Sequence, residues 1–179
     1  FKGVDMRRVG DGRIGASYTY REVGYVAGAL VLVADIGKGV VAVLIANLLD
    51  VPLPVVLLAG LAAIMGHNWS AFLGFKGGRG AATTYGVLSA LMLQELLIVF
   101  AIVAIPFFFV RRTTLFTGIV FALLTFVAWQ SARTALLVSY PVTVSIPMFL
   151  KGLLMPHGIT DHSEAEGMVQ AADGKPLTS

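Results

Sequence analysis

The chain alternates long uncharged runs with short polar breaks. Residues 51–75, 80–94, 96–110, 113–132 and 134–150 contain no Asp, Glu, Lys or Arg, and only a few charges separate one run from the next. A bilayer-crossing helix needs about 17–25 mostly apolar residues, and several of these runs reach that length. A very apolar soluble core would need polar outer faces on the same segments, and they have none. The pattern predicts an all-α, polytopic transmembrane helical bundle.

The polar breaks place its elements. A first helix is expected over about 23–49, ended by the turn Asp50-Val51-Pro52-Leu53-Pro54, because proline stops one helix and can open the next. A second over about 53–73 carries His67 and Asn68 towards its far end. A third over about 81–93 is divided by Gln94-Glu95 from a fourth over 96–110, which stops at Arg111-Arg112. The fifth covers about 114–130, and the sixth about 134–154, with Pro141 and Pro147 as candidate kinks. Residues 1–155 form the expected membrane domain, and the polar residues 156–179 read as a disordered cytoplasmic tail. The chain begins at Phe1 rather than Met, so a further helix before it is expected.

Composition agrees with the pattern. Of 179 residues, 57% are hydrophobic and 13% charged, against about 25% charged in a soluble domain. Placement of the cations matters more than the net charge of +3. If residues 1–22 are cytoplasmic and each later segment crosses once, the inside loops hold Lys2, Arg7, Arg8, Arg13, Arg21, Lys76, Arg79, Arg111, Arg112, Lys151 and Lys175. The outside turns hold only Arg133, beside Asp50 and Glu95. This asymmetry is the positive-inside signature, and it puts both glycine-rich loops on the cytoplasmic face. There is no cysteine, which removes disulfides, thiolate chemistry and most zinc sites. His157 and His162 lack a third ligand at metal spacing, so no metal site and no cofactor is expected, and no nucleic-acid partner.

The densest candidate chemistry lies between the second and third helices. Gly74, Gly77, Gly78 and Gly80 surround Lys76 and Arg79. Glycine lets a backbone turn tightly and present its N–H groups, and the cations add countercharge for a phosphate. The plainer reading, cations gripping anionic lipid head groups, needs no such pliant backbone. The loop is not a Walker A sequence, because it lacks the G-K-[ST] ending and a preceding strand. A second glycine-rich basic stretch, Gly10-Asp11-Gly12-Arg13-Ile14-Gly15-Ala16-Ser17, lies in the N-terminal segment with Arg21 just beyond. Asp35 and Lys38 fall three residues apart within an apolar helix. That spacing lets them pair, and charges at such depth generally face a protein interior or a wet cavity. A structural ion pair and a functional one fit this pattern equally. His67 is the only histidine near an apolar helix, either a hydrogen-bonding fixture or a base. Ser17, Thr83 and Thr84 stand at helix starts, where capping is the default role.

At these residues the chain resembles the bacterial acyl-phosphate-dependent glycerol-3-phosphate acyltransferases, the PlsY family. Val9-Gly10-Asp11-Gly12-Arg13-Ile14-Gly15-Ala16-Ser17-Tyr18 is similar to the family's V-G-S-G-N-I-G-A-T-N, and Asp35-Ile36-Gly37-Lys38-Gly39 to D-x-x-K-G. The longest match is Gly66 to Thr83, against G-H-x-x-P-x-F-L-x-F-K-G-G-K-G-x-A-T, with Ser70 in place of proline and Arg79 in place of lysine. The resemblance implies seven transmembrane helices, the first of them absent from this chain, in a bacterial cytoplasmic membrane. It also implies acyl phosphate and glycerol 3-phosphate as substrates beside the membrane lipids. Lys76, Arg79, His67 and Asn68 would act at the reacting groups. Gly10, Asp11, Gly12, Arg13, Ser17, Arg21, Asp35, Lys38, Gly77, Gly78 and Gly80 would bind or shape the phosphate sites. The family's last motif survives only as Ser145-Ile146-Pro147-Met148-Phe149-Leu150-Lys151-Gly152. That departure leaves one alternative, a non-catalytic relative that binds lipid or phosphate anions.

Overall fold

The computed structural model describes residues 19–20, 24–70, 78, 80–107 and 113–154. Beside the helical pair Thr19–Tyr20 they include five helices, which we number α1 (Tyr25–Leu48), α2 (Leu53–Asn68), α3 (Ala81–Phe107), α4 (Thr113–Gln130) and α5 (Ala135–Leu154), with no strand among the described residues. Their bounds fall within a few residues of the expected ones except at the end of α2. There Asn68 is the last helical residue and Trp69 leaves the helix at φ −120° and ψ 59°, so residues 69–70 are not helical. The expected tail, 156–179, lies outside the described residues.

Local chemistry accounts for the ends. α1 stops where Asp50 takes a left-handed φ of 52° and its N–H donates back to the Asn47 carbonyl at 3.0 Å. Pro52 then precedes α2 and Pro54 lies in its first turn, where a missing N–H costs nothing. α4 ends in a Schellman motif: the Ala132 N–H donates to Trp129 at 3.1 Å and the Arg133 N–H to Ala128 at 3.3 Å, with Ala132 at φ 51°. Pro141 and Pro147 both lie inside α5.

The expected third and fourth helices are the two arms of α3. Met92 has φ −149° and ψ 57°, outside helical values. The rings of Tyr85 and Phe100 lie 5.6 Å apart, although 15 residues of straight helix would separate them by about 22 Å. The element therefore folds sharply back at Met92, and Tyr85 also meets Phe121 of α4 at 6.0 Å. By length and apolarity alone, Tyr25–Leu48 and Ala81–Ala104 are long enough to cross a membrane. The reversal means that the length of the second is not its reach.

The helices close around Val43, Ile64, Val87, Leu88, Val99, Val120, Leu124 and Val144, all fully buried. Small residues decide how near the backbones come. A Cβ added to Gly39 of α1 would stand 2.4 Å from the Thr83 carbonyl oxygen, and one on Gly86 of α3 would stand 2.1 Å from that of Ile36. α1 and the first arm of α3 thus cross in backbone contact, the geometry that glycine permits in membrane bundles. Gly60 of α2 leaves room for the Tyr140 phenol, which donates to the Leu57 carbonyl at 2.8 Å and joins α5 to α2. Outward faces carry Tyr25, Leu30, Val33, Leu48, Leu58, Leu97, Phe126 and Ile146, all exposed. An apolar exterior of this kind suits lipid rather than water.

Candidate active site

Three elements meet at one place: the middle of α1, the C-terminal end of α2 and the N-terminal end of α3. Antiparallel packing through the short Asp50–Pro52 turn brings residue 67 back alongside residues 35–38. The α1–α3 crossing at Ile36–Gly39 then sets the first turn of α3 beside both.

The charged side chains that the spacing suggested do pair. Lys38 Nζ donates to Asp35 Oδ1 at 2.7 Å, and His67 Nδ1 lies 3.3 Å from the same oxygen. Lys38 Nζ also contacts His67 Nδ1. The Asp35 and His67 side chains are nearly buried, whereas the Lys38 side chain stays 40% exposed. The Lys38 ammonium and the Asp35 carboxylate offset one another's charge, a condition for holding charge inside an apolar bundle.

One residue on, Asn68 closes the glycine loop. It is fully buried, and a Cβ on Gly80 would stand 2.2 Å from its Oδ1. Gly80 adopts φ +76°, so glycine is needed there for both conformation and space. The end of α2 and the residue before α3 therefore meet at Asn68 and Gly80, with α3 starting on the Thr84 N–H to Gly80 carbonyl bond of 2.8 Å. The first N–H groups of a helix have no partner within it and carry partial positive charge, so this closure presents donors beside the loop.

Thr83 and Thr84 do not cap α3 as expected. Both are fully buried, and among the described residues neither hydroxyl has a hydrogen-bond partner. They lie three and four residues into the chain from Gly80, past the capping position, so a side chain there cannot reach back as a cap does. Two buried hydroxyls without a described partner at the start of α3 are hydrogen-bonding capacity that the described fold leaves unused.

Of the residues singled out in the sequence, the structure brings together Asp35, Lys38, His67, Asn68 and Gly80, with Gly78 buried nearby in the chain. Gly10, Asp11, Gly12, Arg13, Ser17, Arg21, Lys76, Gly77 and Arg79 lie outside the described residues. Ser145 belongs to α5 and donates to the Val142 carbonyl at 2.6 Å within its own helix. Sequence reasoning missed one polar pair altogether. Glu95, 2% exposed, receives Arg133 Nε at 2.6 Å and Nη2 at 3.2 Å. Those hydrogen bonds, more than the charge, push the Arg133 pKa above its ordinary value. Both residues had been placed at outer turns, which is the signal that could have paired them.

Comparison with known proteins identifies the fold and the family. Residues 1–163 match the family described as glycerol-3-phosphate acyltransferase. Glycerol-3-phosphate acyltransferase 2 of Dehalococcoides mccartyi is 38% identical over 154 residues, covering 82% of this chain and 73% of that protein. Among solved structures, the glycerol 3-phosphate form of PlsY, an integral membrane glycerol 3-phosphate acyltransferase, superposes with a TM-score of 0.72 at 24% identity, over 99% of this chain and 84% of that one. Its lysophosphatidic acid form gives 0.66 at 22% identity, over 93% and 79%. At such identities the structures speak for the fold alone, and they identify it as that of an integral membrane protein. The family match and the curated relative carry the rest: this chain belongs to the glycerol-3-phosphate acyltransferase family and is a membrane acyltransferase of phospholipid synthesis.

Proposed function

We propose that the chain moves an acyl group from acyl phosphate to the 1-hydroxyl of glycerol 3-phosphate, giving lysophosphatidic acid and inorganic phosphate. The hydroxyl oxygen attacks the acyl carbonyl, the bond from that carbon to the phosphate oxygen breaks, and the hydroxyl proton leaves with the phosphate. Acyl phosphate is already activated, so the step needs orientation and oxyanion stabilisation more than a strong protein acid or an acyl-enzyme. Lys76 and Arg79 supply countercharge to the phosphates, with Gly77, Gly78 and Gly80 shaping the loop. Gly10, Gly12, Arg13, Ser17 and Arg21 form the second phosphate loop, where Arg13 offsets Asp11. Asp35, Lys38, His67 and Asn68 orient the site. Its place is the bacterial cytoplasmic membrane, with both loops facing the cytoplasm, as the distribution of Lys and Arg indicates.

The observation that carries this reading is the packing of Asn68 on Gly80 beside the Asp35–Lys38–His67 cluster, where α3 begins with two buried hydroxyls that have no hydrogen-bond partner among the described residues. Polar groups gathered in this way at the ends of a basic, glycine-rich stretch suit a polar anionic ligand. Glycerol 3-phosphate and lysophosphatidic acid are the ligands named for the two solved relatives, which supports that substrate class. The test is phosphate release by the purified chain given acyl phosphate and glycerol 3-phosphate. Release that depends on both substrates is expected. A folded protein that binds phosphate or lipid without turnover would overturn the reading in favour of a binding protein.

A further inference from the structure

We propose that Lys38 is a positioning residue for His67: its ammonium donates to Nδ1 and holds the ring in the Nε2–H tautomer. His67 is then a hydrogen-bond donor at the site, offered to a phosphoryl or carbonyl oxygen, and not a general base. The identity of those oxygens rests on the acyl-transfer reading above; the tautomer rests on the geometry of the cluster.

Both contacts of the imidazole run through a single atom. Nδ1 touches Lys38 Nζ and lies 3.3 Å from Asp35 Oδ1. Lys38 itself donates to Asp35 Oδ1 at 2.7 Å. Were Nδ1 protonated, it would set a donor against the ammonium, a group with donors only. A shifted arrangement, with neutral lysine and imidazolium, satisfies the same contacts. It requires moving a proton from an alkylamine to an imidazole, the weaker base, and the Asp35 carboxylate serves both arrangements. What remains is an unprotonated Nδ1 and an Asp35 oxygen that both accept from one ammonium. Among the described residues, Asp35, Lys38 and His67 make no other hydrogen bond or ion pair, so within them only Lys38 and Asp35 act on the tautomer. The proton must then be on Nε2, and the second-residue control of a histidine's proton is a familiar device.

The arrangement fits the chemistry proposed for the site. A ring carrying its proton on Nε2 has only Nδ1 left to accept one, and Nδ1 is occupied by the Lys38 ammonium. It can stabilise charge that develops on an oxygen of the reacting groups.

The measurement is the ¹⁵N spectrum of the full chain labelled at histidine, in detergent micelles at mildly alkaline pH and without substrate. His67 is assigned by the signals that vanish in His67→Gln. The expected result is an unprotonated Nδ1 and a protonated Nε2. In Lys38→Met the proton should move to Nδ1, turning towards Asp35, while Lys38→Arg should keep the native tautomer. A protonated Nδ1 or an imidazolium in the native chain overturns the proposal, and so does a Lys38→Met spectrum identical to native. If Lys38→Met does not fold, the native and Lys38→Arg spectra decide. Because no turnover is read, failure of this proposal is separate from failure of the acyl-transfer reading.

Discussion

Glu95 and Arg133 form a pair in which each partner is answered: two carboxylate oxygens, two guanidinium nitrogens, 2.6 and 3.2 Å. The backbone around Arg133 is equally complete, since its N–H and that of Ala132 close the end of α4. The cluster at Asp35 is built the other way. Two of its three contacts converge on one carboxylate oxygen, Lys38 keeps a 40% exposed side chain, and the nearby Thr83 and Thr84 hydroxyls have no partner among the described residues. Buried polar groups are normally satisfied. A saturated pair therefore reads as a fastening between the bend of α3 and the α4–α5 turn, and an unsaturated cluster as capacity for a ligand.

The largest expected effect tests that division directly. Lys76→Ala should lower kcat by about 10²–10³-fold, the usual cost of losing one preorganised donor to developing charge. Arg133→Ala should leave turnover within a few-fold of native at low temperature while lowering the thermal midpoint, because it strands a buried Glu95 carboxylate. Glu95→Gln should lower the midpoint less, since the exposed Arg133 can turn to water. Turnover assays beside thermal denaturation in detergent check all three. A collapse of activity in Arg133→Ala with an unchanged midpoint would erase the distinction between the two regions.

Next in size is His67. A lost hydrogen bond to a charged group costs about 1.5–3 kcal/mol, so His67→Ala should lose about 10–100-fold in kcat. His67→Gln carries an amide N–H close to where Nε2–H stands and should recover part of that loss. Equal losses in both variants, with native folding, would mean that the donor is not what matters.

The bundle and its charge asymmetry were legible because both are written in local pattern. Uncharged runs gave the helices, Asp50 to Pro54 gave the first turn, and the i, i+3 spacing gave the Asp35–Lys38 pair. The reversal within α3 was legible from Gln94-Glu95, but its vertex was not: it falls at Met92, a buried apolar residue with no turn signal. Partners far apart in the chain were also hidden. His67 joins Lys38 across 29 residues and Glu95 joins Arg133 across 38, distances at which only packing decides who meets. Thr83 and Thr84 were misread because capping is a local rule, and their burial against α1 is not a local fact.

Glycines separate the two kinds of position at a smaller scale. Gly86→Ala places a methyl 2.1 Å from the Ile36 carbonyl oxygen, where backbone must move, and overpacking of that sort costs about 1–3 kcal/mol. Gly37→Ala, one residue from Ile36, meets nothing within 4 Å and should gain about 0.5–1 kcal/mol from helix propensity. Opposite shifts of the denaturation midpoint are expected. Equal shifts would mean that the α1–α3 crossing is looser than backbone contact.

The smallest effect belongs to the saturated region and has the opposite sign. Ala132 sits at φ 51° in the position where helices commonly end on glycine. A left-handed conformation costs a residue with a Cβ about 1–2 kcal/mol, and part of that is returned because glycine has more freedom to lose on folding. Ala132→Gly should therefore stabilise by somewhat less than about 1 kcal/mol. It removes no hydrogen bond, because both closing bonds use backbone N–H groups of Ala132 and Arg133. The Arg133 guanidinium keeps its approach to Glu95, so turnover should not change. A small rise in midpoint at native activity is the expected result. A fall would show that the turn is held by its neighbours in a shape glycine loosens, and that the Glu95–Arg133 pair depends on Ala132 for its register.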